Sequence, residues 1–295
     1  MKPWLLKLHR WTALLFAIPL AVILVTGLVL SFEPWLVERA IEPGSVTPAR
    51  IEALLRRHDP EGRAVGVVYR SYDATLTIGT GRGGATVDMA SGQALAGPSV
   101  MARVLVTARR MHETLLLDAG ALVIAASAAM LALVALGALM GWPRLANTLP
   151  GWHKATAWGL LPLIALSPLS GLLVAFGVAN PASGQGAPLA LADAVRVVGE
   201  RHDLSTLVWL RPQGGRLLAR LVEGGEYRVY AVSAQGTSAL PRNWPRLWHE
   251  GNFAGPWSAW MNTAASLAMC GLLATGVWLW LTRRRRRSAR LPSLV

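Results

Sequence analysis

Cysteine is almost absent. Cys270 is the only one, and it lies inside an apolar stretch. That excludes a disulfide framework and any paired-thiol metal or attachment motif. Charge is scarce too, at 15% of residues, and acidic charge scarcer still, with 16 Asp and Glu against 29 Lys and Arg. Asp59 and Asp118 form no paired-carboxylate pattern, and no phosphate loop, nucleophile elbow or zinc spacing occurs. What fills the chain instead is apolar: 53% of residues are hydrophobic, which points to a membrane protein and away from a soluble domain.

Four stretches carry no Asp, Glu, Lys or Arg for long enough to cross a hydrocarbon core of ~30 Å. They run Trp11–Phe32, Ala119–Pro143, Ala155–Ala179 and Gly251–Thr282. The first is too long for a signal-peptide core and no small-x-small cleavage site follows it. Lys2, Lys7 and Arg10 precede the first stretch, Arg144 and Lys154 lie between the second and third, and Arg283 to Arg287 follow the fourth. In a four-span topology these sites share one side. The positive-inside rule makes that side the cytoplasm, with both termini there, and predicts a multi-pass protein of a bacterial inner membrane. The terminal Arg run reads as an anchor near anionic lipid, and no nucleic-acid partner is expected.

An internal repeat spans the chain. With His9 laid on His153, Thr12 falls on Thr156, Thr26 on Ser170, Gly27 on Gly171, Phe32 on Phe176 and His58 on His202, with no gap. Each half reads as span, outer segment, span. The outer segments predict small α+β units. The first has a helix from Pro48 to His58 and strands at Ala64–Arg70, Ala74–Gly79 and Ala85–Met89. The second has a helix at Leu189–His202 and strands near Thr206–Leu210, Arg216–Val222 and Glu226–Ser233. The predicted segments are 1–32 (first span), 33–98 (outer unit), 99–143 (second span with an outer extension), 144–179 (short loop and third span), 180–242 (outer unit), 243–282 (fourth span with an outer extension) and 283–295 (basic tail).

Four of the six histidines stand at the mouths of the spans. His9 and His153 fall on the cytoplasmic side, His112 and His249 on the outer side. Ionisable side chains at membrane depth are costly and mark functional sites. One imidazole from each of two helices suffices to ligate one haem iron. Two pairs therefore predict two haem centres, one near each face. Arg109 and Arg246 each lie three residues before an outer histidine, on the same helix face, where a guanidinium fits a propionate. Arg10, Lys7 and Lys154 are the inner counterparts. Gly27 and Gly171 are read as points of close approach for a macrocycle or a neighbouring helix. His58 and His202 read as exposed helix-end residues, and the clustered Trp residues as an interfacial belt, with Trp248 a candidate neighbour of haem.

The His-Arg-Trp opening, the Thr-Gly-Leu and Ser-Gly-Leu ends of the first and third spans, the His-Glu entries to the second and fourth, and the Val87-Asp88-Met89-Ala90-Ser91-Gly92 turn together resemble the PepSY-associated transmembrane proteins. That family includes iron-regulated membrane proteins and ferric-siderophore reductases. The resemblance implies a four-helix membrane bundle with two small periplasmic PepSY-like α+β domains, and b-type haem held by the span-end histidines. It further implies haem-dependent reduction of a ferric siderophore or ferric chelate, in the service of iron acquisition. Some members carry a fused flavin reductase domain. Nine residues follow Arg286 here, so the donor is expected to be a quinol or a separate flavoprotein. Two other readings are a membrane-anchored PepSY binding or regulatory module without enzyme activity, and a haem subunit serving a partner reductase.

Overall fold

A computed structural model describes residues 3–80, 83–142, 146–181, 184, 186 and 189–288. Lys2, Pro143 and Arg144, used above to set spans and sidedness, lie outside the described residues.

Each half opens with a broken apolar helix. In the first half α1 (Pro3–Leu15) gives way at Phe16 to α2 (Ala17–Leu30). In the second, α7 (Leu149–Gly159) gives way at Leu160 to α8 (Leu161–Ala175), with a bend of 66°. Phe16 and Leu160 are equivalent positions of the repeat. Pro19 has no N–H for the carbonyl of Leu15, nor Pro162 for that of Trp158, so the ladder opens within one residue of the same place in both halves. The single spans expected over Trp11–Phe32 and Ala155–Ala179 are therefore each two helices. Among the described residues, three helices are long and apolar enough to cross a membrane: Ala17–Arg39, Gly120–Leu139 and Pro256–Arg286. A fourth span exists if α7 and α8 count as one.

The second segment of each half is also divided. Helix α5 (Val100–Thr114) ends in a turn with Leu115, Leu116 and Asp118 at left-handed φ, and α6 (Gly120–Leu139) then begins. Helix α10 (Trp244–Glu250) ends at Gly251 (φ 66), and α11 (Pro256–Ser288) follows. The short outer helices lie back on the second helix of their own half, α5 on α2 and α10 on α8. Below them Leu20, Ile23 and Leu24 of α2, Ala126 and Met130 of α6, Ile164 of α8, and Ala265 and Met269 of α11 share one buried core.

The outer segments join. After α3 (Glu33–Arg39) and α4 (Pro48–His58) come β1 (Ala64–Arg70), β2 (Thr75–Thr80), β3 (Gly83–Asp88) and β4 (Ala94–Leu95). The second half supplies α9 (Leu191–Gly199), β5 (Leu207–Gln213), β6 (Arg216–Glu223), β7 (Glu226–Ser233) and β8 (Gly236–Ala239). All eight strands make one antiparallel sheet in the order β4-β3-β2-β1-β5-β6-β7-β8. The seam pairs Val67 with Leu210 and Val68 with Trp209. Helices α4 and α9 cover one face. Ile51, Leu54, Val67, Leu76, Val195, Leu210 and Leu221 are buried there, each at most 2% exposed. Alternation along the strands turns Val68, Arg70, Trp209, Arg211 and Arg220 to the opposite face.

Candidate functional site

The outer histidines meet. The rings of His112 on α5 and His249 on α10 have centroids 5.9 Å apart, tilted by 43°. Each is held the same way by the neighbouring helix of its own half. His112 Nδ1 lies 3.0 Å from the carbonyl of Ile23 and 3.3 Å from Thr26 Oγ1. His249 Nδ1 lies 3.2 Å from the carbonyl of Ser167 and 3.4 Å from Ser170 Oγ. Ile23 with Ser167, and Thr26 with Ser170, are equivalent positions of the repeat. A carbonyl only accepts, so Nδ1 must carry the proton in both rings, which leaves the Nε2 lone pair uncommitted. An acceptor fixing one ring nitrogen so that the other faces a metal is the usual support of a ligand histidine.

Gly27 and Gly171 explain how the rings come so close. A Cβ on Gly27 would stand 3.1 Å from His112 Cε1, and one on Gly171 only 2.8 Å from His249 Cε1. These glycines are points of close approach for the neighbouring helices α5 and α10, through the imidazoles those helices carry.

At the other end of the bundle, His9 and His153 line one cavity of about 570 Å³ between α1, α6, α7 and α11. That lies within the usual range for cofactor pockets. Its walls include Trp142, Trp158 and Trp280, and Arg10, Lys154 and Arg283 also line it. His153 Nδ1 is 2.7 Å from Thr275 Oγ1, whose hydroxyl already donates to the carbonyl of Gly271 at 2.7 Å. The Thr275 oxygen therefore accepts from His153 Nδ1–H, and Nε2 is again left over. His9 Nδ1 is buried with no hydrogen-bond partner. An unmet buried polar atom costs about 1–3 kcal/mol, so this nitrogen favours a bound group in the cavity.

The inner pair lines a cavity whose volume, apolar walls and cationic lining would suit a propionate-bearing macrocycle. At the outer pair the uncommitted Nε2 atoms of His112 and His249 are of the donor type that would ligate haem iron. Among the described residues no three His, Cys, Asp or Glu side chains gather as a site for a bare metal ion.

Above the outer pair lies a charged layer. Arg109 bonds Glu33, and Arg246 (3.1 Å) and Arg220 both bond Glu250. Burial opposes the charge on Glu250, but Arg220 and Arg246 outweigh it and hold its carboxyl down at about 2. Burial raises the Tyr72 phenol to about 12 and pushes Tyr227 up as well. Arg109 and Arg246 thus already have carboxylate partners, which the spacing argument did not foresee. Trp248 packs on Phe253 at 4.3 Å. His58 and His202 are not free helix ends. His58 Nε2 is 3.0 Å from the Gly92 carbonyl, and His202 bridges Glu223 (2.8 Å) and Thr237 (2.9 Å). Tying a helix end to the neighbouring strand turn satisfies these rings inside the sheet unit. Cys270 packs, half-buried, against the bundle core. Thr275 and Arg283 were missed, although Thr275 lies inside the fourth span and Arg283 opens the basic run.

A family model described as the PepSY-associated TM region matches residues 6–283. No curated protein matches the chain.

Proposed function

The chain belongs to the PepSY-associated TM region family, and from that premise we propose that it is a dihaem b-type electron-transfer protein of a bacterial inner membrane. It carries electrons from a quinol or a separate flavoprotein on the cytoplasmic side to a periplasmic ferric siderophore or ferric chelate, and so acts as a ferric reductase in iron acquisition. In this reading α1–α2, α6, α7–α8 and α11 are four spans with both termini cytoplasmic, and the sheet with α4 and α9 is a pair of fused PepSY-like domains in the periplasm.

The observation that carries the proposal is the matched seating of His112 and His249. Each ring lies on a glycine, each Nδ1 is given to a carbonyl, and each Nε2 is left uncommitted. His9 and His153 are the inner pair, with Arg10, Lys154 and Arg283 as cations for propionates. At the outer pair Arg109 and Arg246 retain further guanidinium donors beyond those used by Glu33 and Glu250. Bound haem iron supplies reversible one-electron chemistry at a potential set by its ligands and their surroundings. The protein contributes orientation through Ile23, Ser167 and Thr275, and exclusion of water through the bundle core. Weaker binding of Fe(II) by hard oxygen donors makes reduction a means of iron release.

The test is a haem count per purified chain, with visible spectra, for wild type, His9→Ala and His249→Ala. The expected result is two haems in wild type and about one in each variant. A wild type without a Soret band after expression with ample haem would overturn the reading in favour of an anchored binding module. Reduction of a ferric siderophore by the pure protein with an artificial donor separates a reductase from a subunit that serves one.

A further inference from the structure

The sheet face turned away from α4 and α9 carries an arginine surplus that the haem reading does not use. Trp209 of β5 pairs directly with Arg220 of β6 and with Val68 of β1. Arg211 is two residues beyond Trp209, and Arg70 two beyond Val68, so all three guanidiniums emerge on one face. Gly66 brings the seam strands together beneath them. A Cβ there would stand 2.7 Å from the Leu210 carbonyl and 2.8 Å from Arg211 Cβ. Glu250 bonds Arg220 and so draws α10, with Arg246 and His249, toward this face. Arg109, bonded to Glu33, lies close by on α5.

Five guanidiniums, those of Arg70, Arg109, Arg211, Arg220 and Arg246, therefore share two bonded carboxylates, Glu33 and Glu250. Among the described residues neither Arg70 nor Arg211 has a carboxylate partner. Arg70 donates to Thr77 Oγ1 at 2.8 Å, and Arg211 stacks on Trp209 at 4.6 Å. Partial burial and then the charges of Arg220, Arg246 and Arg109 lower the pKa of Arg211. Cations crowded at a half-buried face are stabilised by an anion, and the planar fork of arginine matches a carboxylate. The Arg211 side chain is solvent-exposed, so it is reachable from the outer aqueous side.

We propose that this arginine face is a docking site for a carboxylate-rich anion, and that the ferric complex presented to the outer histidine pair is therefore an anionic polycarboxylate chelate. The proposal rests on the electron-transfer reading for what happens after docking, but the docking itself needs no haem. Arg211 and Arg70 supply guanidiniums without a bonded carboxylate, Trp209 supports the first of them, and Glu250 holds Arg220. Neutral or cationic trihydroxamate complexes gain nothing from such a face.

Gallium(III) citrate, which is redox-inert under these conditions, reports binding without electron transfer. Titration calorimetry on the full chain in neutral detergent is expected to show saturable binding that weakens as salt rises. Arg211→Gln and Arg70→Gln are each expected to lose about tenfold in affinity, with Arg211→Lys intermediate. Equal binding of a cationic gallium trihydroxamate, or unchanged affinity in both Gln variants, would overturn the proposal. Haem content is measured on the same samples to separate two sources of carboxylate. A fall in Arg211→Gln would assign this arginine to a propionate and overturn the chelate assignment, whereas unchanged content with weaker citrate binding supports it. Loss of haem from wild type with citrate binding intact would sink the electron-transfer reading and leave this one standing.

Discussion

His249 rests on Gly171: a methyl group added to that glycine would lie 2.8 Å from Cε1 of the ring, inside any real carbon–carbon contact. The contact repeats, 0.3 Å looser, between His112 and Gly27. Both glycines lie within helices, where the residue costs about 1 kcal/mol relative to alanine, so each gives up helix stability for a place to seat a ring.

Replacing these glycines therefore tests the outer site without touching a histidine. Gly171→Ala is expected to displace His249 and weaken outer-haem retention by tenfold or more, using the ~1–3 kcal/mol typical of overpacking. Gly27→Ala is expected to do the same to a smaller degree. Haem-to-protein ratios after detergent washing make the comparison. Full retention in both would show that the rings do not depend on these seats.

Thr275→Val keeps the volume of the side chain and removes the acceptor for His153 Nδ1. Losing such a supporting hydrogen bond costs about 10- to 100-fold in metal affinity. The inner site alone should suffer, seen as a haem count falling from two toward one with the outer signal unchanged. A count that stays at two with unaltered spectra would mean that Thr275 does not orient the ring.

Glu250→Gln leaves the Arg220 side chain, 12% exposed, without its ionised partner. Removing one member of a largely buried pair destabilises by about 2–3 kcal/mol here, discounted for partial exposure. The variant is expected to melt several degrees lower in detergent. Double substitution with Arg220→Met should recover part of the loss, and failure to recover any would argue against the pair as the cause.

Asp203 ties the two halves together, accepting from the Gly44 N–H and the Ser205 N–H at 2.9 Å each. Partial burial works against its charge, yet these hydrogen bonds prevail and its pKa is lowered. A depressed carboxyl stabilises the fold above the ordinary Asp range and loses that contribution as pH falls through its folded value. Asp203→Asn should therefore cost about 1 kcal/mol at neutral pH. Its melting temperature should converge with wild type on acidification. A constant gap across the acid range would count against this.

Much of this was legible in the residues. The repeat and the alternation of the spans group His112 with His249, whose rings meet. Strand alternation predicted six of the eight strands, but not β4, β8 or the union of the two units in one sheet. The breaks at Phe16 and Leu160 went unseen because apolar composition says nothing about a ladder interrupted by Pro19 and Pro162. The turn after α5 was equally hidden, since Leu115, Leu116 and Asp118 take left-handed φ without glycine. The β1–β5 seam rests on two residue pairs from distant parts of the chain, a long-range choice that local pattern does not encode. Spacing set Arg109 beside His112 but could not reveal Glu33, which arrives from another helix.

The seam has a consequence for how such a chain is made. Val67 and Leu210 are each the fourth residue of their strand, and they pair with each other, antiparallel. That is the relation two identical subunits adopt across a dyad. The two halves are thus held across the seam in the relation that two copies of one subunit would adopt. During synthesis the first half emerges with β1 as an open edge, ready to pair with any extended segment. Only the arrival of β5, well over a hundred residues later, closes it.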